Sequence, residues 1–320
     1  MVVTNRLIKH YRFSNIFAFI NRNVRSRRKK IKQIKNLYES IGLEDSGCSL
    51  CGSKEFKLIS NSDRYGFNLS KQFCNSCGLI QTYPRLSKEF HDIFYASLYR
   101  PLYLKRHKVD YEDLMIEQTN KGKKYLEFFC KNIGEENLKS INYIEIGCSS
   151  GGTLNYLSES FKSSVGCDLD QEAIKFANKK FDNKFELGLY PESIPKGKKL
   201  FLISHALEHV YNPLETLSDI RSKMDEGDFL FVAVPGIRMV KKGDYKNDLR
   251  RYFHIAHVTD FEKSTLENVA SLAGFQSIEI DEEINALFRA SKKSKSFLKV
   301  DPSNMILSIE ATYKGKFPHL

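Results

Sequence analysis

Apolar and polar positions along the chain follow two different periods. Short apolar runs predict buried strands, and they cover residues 141–147, 164–168, 184–187, 200–204 and 229–234. Apolar residues at helical spacing predict helices between these strands, at residues 153–160, 171–181, 213–224 and 263–273. The segments AGFQSIEI and NALFRA predict two final strands that are close in sequence. Because strands and helices alternate, the predicted fold class is α/β, with a doubly wound, Rossmann-like sheet of seven strands.

The first 43 residues have a different pattern and predict a basic helical arm. Apolar residues recur there at helical spacing, at Phe13, Ile16, Phe17, Ile20, Val24, Ile31, Ile34, Tyr38 and Ile41. Of the 50 Lys and Arg, 11 lie in residues 1–38, which contain no Asp or Glu, so the other 39 balance the 39 acidic residues. The arm therefore carries the whole formal charge of +11. It could pack on its own protein, or bind an anionic membrane surface, an acidic partner or nucleic acid.

Four cysteines form two CxxC pairs, CSLCG and CNSCG, with 22 residues between Cys51 and Cys74. A CxxC turn lets two thiolates reach one metal ion, and the glycine after it tolerates the left-handed conformation that closes the turn. Two such turns complete a tetrahedral site of four thiolates, which is the closed geometry of structural zinc. We therefore predict a zinc-binding module at residues 44–85, with Zn²⁺ held by Cys48, Cys51, Cys74 and Cys77.

The N-terminus and the cysteine content predict a cytoplasmic location. The longest apolar run of the basic N-terminus covers only residues 16–20, which is too short for a secretory signal. No stretch approaches the roughly 18 apolar residues of a membrane span. Seven cysteines without an export signal indicate thiols and a metal ion, not disulfides.

Residues 86–134 predict a helical connector that is rich in aromatic side chains. Tyr95, Tyr99 and Tyr103 recur every four residues within FYASLYRPLYLKRH. This spacing favours packing, and a lid over a bound cofactor is the alternative interpretation. The last segment, residues 293–320, is a C-terminal tail to which no structure is assigned.

The stretch YIEIGCSSGGTLNYL predicts a strand, a glycine-rich turn and a helix. This order surrounds a small ligand with backbone N–H groups. Dinucleotides need G-x-G-x-x-G there, but Ser149 stands at the second glycine position. Glu145 lies two residues before Gly147, and Asp168 ends the next strand, where an acidic side chain accepts both ribose hydroxyls of an adenosine. Such ribose binding serves NAD and S-adenosylmethionine (SAM) alike, so the turn alone leaves both cofactors open.

The fourth strand distinguishes between these cofactors. LFLISHALEHVYNPLETL closely resembles the segment after that strand in class I SAM-dependent methyltransferases, and AGF resembles the approach to their last hairpin. We assign residues 135–292 to such a domain. The resemblance implies that the turn holds the methionyl part of SAM, and it implies cofactor binding by Glu145, Gly147, Cys148, Ser149, Gly151, Asp168, Leu169, Ser204 and His205.

The cysteine module narrows the resemblance. CSLCG…DRYG…FCNSCGLIQTYPR, followed by FYASLYRPLY, resembles the zinc-knuckle methyltransferases of surface-polysaccharide and lipopolysaccharide gene clusters. It is also similar to the sugar C-methyltransferases that act on nucleotide-linked keto sugars. Their Tyr-x-Glu-His segment would fall at residues 254–257, where only the final His is present. The resemblance therefore implies a sugar or glycan acceptor, with O-methylation of a hydroxyl as the leading prediction and C-methylation as the alternative.

Methylation of a hydroxyl requires a base, and histidine titrates near neutral pH. Four of the eight histidines follow the fourth and fifth strands, at the edge where open α/β sheets bind ligands. We predict His257 as the base, because it matches the retained histidine of the sugar C-methyltransferases. His209 is second, because a helix that begins there would lower its pKa. His205 and His254 are the further candidates.

Two other functions remain open at this point. A ribosomal RNA methyltransferase would explain a basic arm, although RNA enzymes that join a zinc module to this fold use a histidine ligand. A non-catalytic SAM-fold subunit could scaffold a glycan-assembly complex at the membrane. The predicted partners are a sugar or glycan acceptor and, through the arm, an anionic membrane surface or such a complex, with nucleic acid disfavoured. The predicted location is the cytoplasm, peripheral at the inner face of the membrane.

Overall fold

The structure, a computed structural model, describes residues 28–103, 110–182, 184–292, 298–304 and 306–307. Most of the predicted arm and of the predicted tail lies outside these residues, so those two predictions stay predictions. The elements of the first part are α1 (Arg28–Ile41), β1 (Leu43–Glu44), β2 (Phe56–Ser60), β3 (Lys71–Cys74), β4 (Ile80–Thr82), β5 (Arg85–Leu86), α2 (Lys88–Ile93), a π-helix (Phe94–Leu98) and α3 (Tyr99–Tyr103).

The second part alternates strands and helices, as the sequence predicts. Its elements are α4 (Tyr111–Asn132), α5 (Glu135–Leu138), β6 (Asn142–Ile146), α6 (Gly152–Ser158), β7 (Ser163–Asp168), α7 (Gln171–Lys180), β8 (Lys184–Leu187), β9 (Lys199–Ser204), α8 (Pro213–Ser222), β10 (Phe229–Ala233), α9 (Met239–Lys242), α10 (Leu249–Tyr252), β11 (Thr259–Asp260), α11 (Lys263–Ala273), β12 (Phe275–Ile280) and β13 (Asn285–Ala290). Two short 3-10 helices cover Leu207–His209 and Asp244–Asn247.

Seven strands form the central sheet, in the order β12-β13-β10-β9-β6-β7-β8. The strands from β6 to β10 run parallel, and β13 is antiparallel to both of its neighbours. The chain changes direction across the sheet between β6 and β9, and open α/β sheets bind ligands at the carboxyl ends of such a pair. The predicted Rossmann-like sheet of seven strands is confirmed.

Helices cover both faces of this sheet because its central strands are apolar on both sides. Phe201 and Ile203 of β9 belong to one buried cluster with residues of α8 and α11. Leu200 and Leu202 of the same strand belong to a second cluster, with residues of α4, α6 and α7. Alternate residues of one strand thus pack against different helices. The long connector helix α4 is part of the core of the sheet.

A smaller antiparallel sheet has the order β11-β4-β3-β2. Strands β2, β3 and β4 belong to the predicted cysteine module, whereas β11 follows α10 near the other end of the chain. Further contacts fasten the same two regions together: Arg64 N–H donates to Phe253 O at 2.9 Å, and Ile255 N–H donates to the Asp63 carboxylate at 2.8 Å. The module therefore completes its sheet with residues of the methyltransferase part.

The described end of the predicted arm packs on its own protein. Ile34 and Tyr38 of α1 are buried, and they belong to one cluster with Tyr65 and Phe67 of the cysteine module. For this part of the arm, packing was one of the interpretations that the sequence left open. Among the helices of the described residues, none combines the length and the apolar character needed to cross a membrane.

Candidate active site and metal centres

The turn after β6 forms a cradle at the carboxyl edge of the sheet. Gly147 and Gly151 have left-handed φ values of +76° and +80°, and Ser149 also has a positive φ. A Cβ atom on Gly151 would lie 2.6 Å from the ring of Phe185, so a side chain there would collide. A Cβ atom on Gly147 would point into open space, where its nearest neighbour is Ala206 Cβ at 3.7 Å. The cradle therefore leaves room for a ligand beside Gly147.

Hydrogen bonds fasten the cradle to the end of β7. Cys148 N–H donates to Cys167 O at 3.0 Å, and Ser149 N–H donates to the Asp168 carboxylate at 2.9 Å. The other oxygen of Asp168 accepts from Asp170 N–H at 2.8 Å. Burial raises the pKa of Asp168, while these two N–H donors act in the opposite direction. Each oxygen keeps a free lone pair, so Asp168 can accept ribose hydroxyls, as the sequence predicts.

Exposed leucines continue this edge beyond Asp168. Leu169 is 68% exposed, and Leu187 and Leu189 are 56% and 63% exposed. Apolar side chains at the ends of two neighbouring parallel strands suit a flat apolar ring such as adenine. Of these three leucines, the sequence predicted only Leu169 as a cofactor residue. The one sequence signal for the other two is ELGL at the end of a predicted strand.

Two of the predicted cofactor residues have side chains beneath the cradle. Glu145 is 1% exposed and accepts a hydrogen bond from the Tyr143 hydroxyl at 2.9 Å. Burial raises the pKa of Glu145 to about 8. The thiol of Cys148 is fully buried and packs against Gly166. These side chains support the cradle from within the core and do not line its open surface.

The connector holds the cradle from the other side. The Gln118 side chain, on α4, donates to Cys148 O at 3.1 Å and accepts from the Ser150 hydroxyl at 2.7 Å. Arg100 of α3 forms an ion pair with Asp170, beside the predicted ribose site. Gln118 could not be predicted from the sequence, because its partner Ser150 lies 32 residues away and no local pattern links the two residues.

The end of β9 lines the opposite side of the cradle. The Ser204 hydroxyl and the Tyr125 hydroxyl share a hydrogen bond of 2.8 Å. His205 follows with a φ of +51°, and its side chain is 41% exposed. Partial burial, and then the cation of Lys121, lower the pKa of His205. His205 therefore presents a neutral imidazole to the cleft.

His209 does not begin an α-helix, contrary to the prediction. It ends the 3-10 helix Leu207–His209, and α8 begins only at Pro213. Its Nδ1 atom lies 2.9 Å from Ala256 O, and the Tyr95 hydroxyl lies 3.1 Å from the same Nδ1. The pKa of His209 is lowered, as predicted, but the first cause is burial and not a helix N-terminus.

His257 lies in a segment that is packed on three sides. It is 4% exposed, and His254, which is 5% exposed, places its ring centroid 3.6 Å from that of His257. Burial lowers the pKa of both imidazoles. His257 Nε2 lies 4.0 Å from the Glu208 carboxylate, and burial raises the pKa of Glu208 to about 8. The structure thus brings all four predicted histidines to one edge, and only His205 is well exposed there.

A buried lysine of the cysteine module supports this cluster. Lys71 of β3 is 1% exposed, and its ammonium group lies 2.6 Å from the Asp260 carboxylate. The same ammonium donates to His257 O. The second oxygen of Asp260 lies 3.6 Å from His257 Nδ1. Lys71 and Asp260 could not be predicted from the sequence, because 189 positions separate them and neither belongs to a recognisable motif.

The four cysteines of the two CxxC pairs come together as predicted. Their Sγ atoms lie within 4.8 Å of one another, with 3.5 Å between Cys48 and Cys77 and 3.5 Å between Cys51 and Cys74. These separations exceed the about 2.05 Å of a disulfide. They are close to the about 3.8 Å expected between sulfurs that surround one zinc ion at about 2.3 Å. The donor set therefore fits a tetrahedral metal ion.

Comparison with known proteins identifies the fold. A family described as "Methyltransferase domain" matches residues 117–280, slightly more than half of the chain. No curated protein matches the sequence. One similar solved structure is magnesium protoporphyrin IX methyltransferase from Synechocystis PCC 6803 with bound S-adenosylhomocysteine (SAH), at 13% identity and a TM-score of 0.42, over 65% of this chain and 100% of that chain. Another is CalS10, an amino pentose methyltransferase from Micromonospora echinaspora, at 8% identity and a TM-score of 0.41, over 59% of this chain and 100% of that chain.

A third similar structure is the plantazolicin methyltransferase BpumL in complex with SAH, at 14% identity and a TM-score of 0.42, over 65% of this chain and 83% of that chain. Identities and scores at this level do not indicate a substrate. The family match, the seven-stranded sheet and the cradle between β6 and Asp168 agree with one another. The chain belongs to the methyltransferase domain family and is a SAM-dependent methyltransferase.

Proposed function

We propose that this enzyme transfers a methyl group from SAM to a hydroxyl of a sugar, in a surface glycan or a nucleotide sugar. The observation that carries O-methylation is the set of neutral imidazoles at the carboxyl edge, beside the cradle. A neutral imidazole is the form that can accept the proton of a hydroxyl. The sugar class rests on the resemblance of the cysteine module and the aromatic segment after it.

The cofactor would lie along the cradle, from Gly147 to Leu169. When bound, SAM supplies a methyl group on a sulfonium, which is a good leaving group. Gly147 would leave space for the methionyl part, Asp168 would accept the ribose hydroxyls, and the exposed Leu169 would cover the adenine. The protein then has to hold the acceptor oxygen in line with the methyl group, because positioning contributes most of the rate.

Exposure favours His205 among the four imidazoles as the group that accepts the proton. Its side chain is 41% exposed at the end of β9, whereas those of His209 and His257 are 16% and 5% exposed. His257 and His209 remain predictions for this role from the sequence. Loss of a general base typically lowers the rate by about 10²–10⁴-fold. We expect folded His205→Gln, assayed at saturating SAM, to lose turnover by that factor.

Mass spectrometry of the surface glycan, with and without the gene, tests the acceptor class. We expect one sugar unit to lose the mass of a CH₂ group when the gene is absent. Purified enzyme with labelled SAM should transfer label to that demethylated glycan or to its nucleotide-sugar precursor. Label that appears in ribosomal RNA instead would contradict the sugar proposal and favour the RNA alternative, and a methyl group on a ring carbon would favour C-methylation.

We further propose that the four-cysteine cluster holds one structural zinc ion and that the arm determines location. Four sulfurs at tetrahedral distances support the zinc. The concentration of positive charge in residues 1–38 supports attraction to an anionic membrane or a glycan-assembly complex, because each such charge contributes about 1 kcal/mol near the surface. Deletion of residues 1–27 should leave turnover on a soluble acceptor unchanged and should weaken binding to anionic liposomes at low salt.

A further inference from the structure

Several buried polar atoms behind His205 have no hydrogen-bond partner among the described residues. They include Glu208 Oε2, His257 Nδ1 and Asp260 Oδ1, and the three side chains adjoin one another. Glu208 is 2% exposed and Asp260 is 1% exposed. An unsatisfied buried carboxylate is costly unless it is paired or coordinates a metal ion. Glu208 carries one of these unpaired atoms, and its other oxygen, Oε1, faces the imidazoles of His209 and His257, so this buried carboxylate lacks the partner that its burial requires.

Three ligand atoms converge on one point there. The donor atoms of Glu208, His209 and His257 lie within 4.8 Å of one another. Glu208 Oε1 lies 3.6 Å from His209 Nε2 and 4.0 Å from His257 Nε2. Ligands bonded to one cation at about 2.1 Å are roughly 3–3.5 Å apart, so both imidazoles would move inward slightly to close on a cation held by Glu208.

The far sides of both imidazoles face acceptors. His209 Nδ1 lies 2.9 Å from Ala256 O, and His257 Nδ1 lies 3.6 Å from the Asp260 carboxylate that Lys71 holds. A histidine that binds a metal ion usually donates its other ring N–H to a carbonyl or a carboxylate. With the proton on Nδ1, both Nε2 lone pairs point toward Glu208.

We propose that Glu208, His209 and His257 bind one divalent first-row transition-metal cation, separate from the cysteine cluster. Two imidazoles and a carboxylate are borderline ligands that suit zinc, cobalt, iron or manganese. Three protein ligands leave coordination positions open, as catalytic sites do. His205 lies at the exposed side of this group, with its Nδ1 3.8 Å from Glu208 Oε1.

For the reaction, this inference rests on the proposed O-methylation. A cation held by Glu208, His209 and His257 would make the hydroxyl of a nearby acceptor more acidic. The hydroxyl proton passes to His205, the oxygen lone pair forms the new bond to the methyl carbon, and the C–S bond breaks to release neutral S-adenosylhomocysteine. The Nε2 lone pairs of His209 and His257 are then occupied by the cation, which leaves His205 to accept the proton.

Cobalt titration of the full-length, zinc-containing protein tests the site without any acceptor. We expect one Co²⁺ per chain, with the weak visible absorption of nitrogen and oxygen ligands. A cobalt ion in the cysteine cluster would show intense thiolate charge-transfer bands instead. Glu208→Gln and His257→Gln should each weaken cobalt binding at least tenfold, while His205→Gln should retain it within several-fold. Circular dichroism and thermal unfolding confirm that each variant is folded.

A wild-type protein that binds no cobalt outside the cysteine cluster overturns the proposal, whether or not the variants fold. Unchanged affinity in folded Glu208→Gln and His257→Gln also overturns it. Cobalt binding without transfer to any sugar hydroxyl would leave the cation site standing and overturn the proposed acceptor. Transfer to a sugar hydroxyl by a protein that binds no cobalt would support the proposed acceptor and overturn the cation site.

Discussion

The two sides of the active-site cleft are built in different ways. On the cofactor side, the cradle and Asp168 come from adjacent strands, β6 and β7, and Ser149 reaches Asp168 across 19 positions. On the acceptor side, the histidine cluster and its buried lysine come from the segment after β9, from the segment before β11 and from β3 of the cysteine module. Its buried ion pair, Lys71 with Asp260, joins positions that are 189 residues apart.

The cofactor side is built from neighbouring parts of the sequence, whereas the acceptor side is built from distant parts that meet only in the tertiary structure. The cofactor side takes its turn and its acidic residue from a strand, a tight turn and the end of the next strand, which are consecutive in the chain. The acceptor side exists only when the cysteine module is docked, because Lys71 and β4 belong to that module. Disruption of the module should therefore impair the acceptor side first, and disruption of the cradle should impair the cofactor side alone.

The largest effect is expected from Cys74→Ser. Structural zinc contributes folding free energy directly, so loss of one thiolate should unfold or aggregate the cysteine module and abolish turnover. Metal analysis of purified wild-type protein should show one zinc ion per cysteine cluster, and the variant should lose that ion. Cys130→Ser, in α4 and outside the cluster, is the control that keeps zinc and activity. Wild-type protein without zinc would contradict the assignment of the four cysteines.

Asp168→Ala should affect the cofactor side alone. The substitution removes the acceptor for two ribose hydroxyls, and hydrogen bonds to a charged group contribute about 1.5–3 kcal/mol each. SAM affinity should fall by about 100-fold or more, measured by calorimetry, while the zinc content stays near that of the wild type. Glu172→Ala, an exposed acid on α7, should bind SAM normally. Equal SAM affinity in Asp168→Ala would remove this residue from the cofactor site.

Lys71→Met should affect the acceptor side alone. It leaves the Asp260 carboxylate buried and unpaired, which costs about 3–5 kcal/mol. The melting temperature and turnover should fall, and the affinity for SAM of the folded fraction should not change. The double variant Lys71→Met with Asp260→Asn should recover much of the stability, since the unpaired charge is gone, but not the turnover. Lys54 is an exposed lysine of the same module, so Lys54→Met is the control. If Lys71→Met is as stable as Lys54→Met, the predicted cost of the unpaired Asp260 is contradicted.

A smaller, pH-dependent effect is expected at Asp63, which joins the module to the segment before β11. Burial raises the pKa of Asp63 to about 6, against three backbone N–H donors, and an unfolded Asp titrates near 3.9. The folded state therefore holds the proton more tightly, and its stability falls as the pH rises from about 4 to about 6. Between pH 5 and 7, the loss is about 1 kcal/mol. The side chain introduced by Asp63→Asn does not titrate, so denaturant unfolding of the wild type and of this variant should show the loss only in the wild type. The same pH dependence of the unfolding free energy in both proteins would contradict the prediction.

The sequence predicted the elements that local patterns determine. Strand β8 and helix α11 begin and end where the apolar periodicity places them, and the two CxxC turns meet as their glycines suggest. The predicted start of α8 at residue 213 is confirmed, but the separate assumption that a helix begins at His209 is wrong, because His209 ends a 3-10 turn and Asn212 caps α8. It could not predict that Lys71 is buried, because its carboxylate partner is reached only through tertiary contact.

The late position of β11 has a consequence for synthesis on the ribosome. Strand β4 pairs with β11, which follows it by more than half of the chain, so the edge of β4 stays open for about 10–35 s at about 5–20 residues per second. An open edge is a template for pairing with other nascent chains. The unpaired ammonium of Lys71, on the neighbouring strand, disfavours such pairing until Asp260 emerges. Stalled chains that end before residue 259 should therefore be cleaved by protease at β4, where released full-length chains resist.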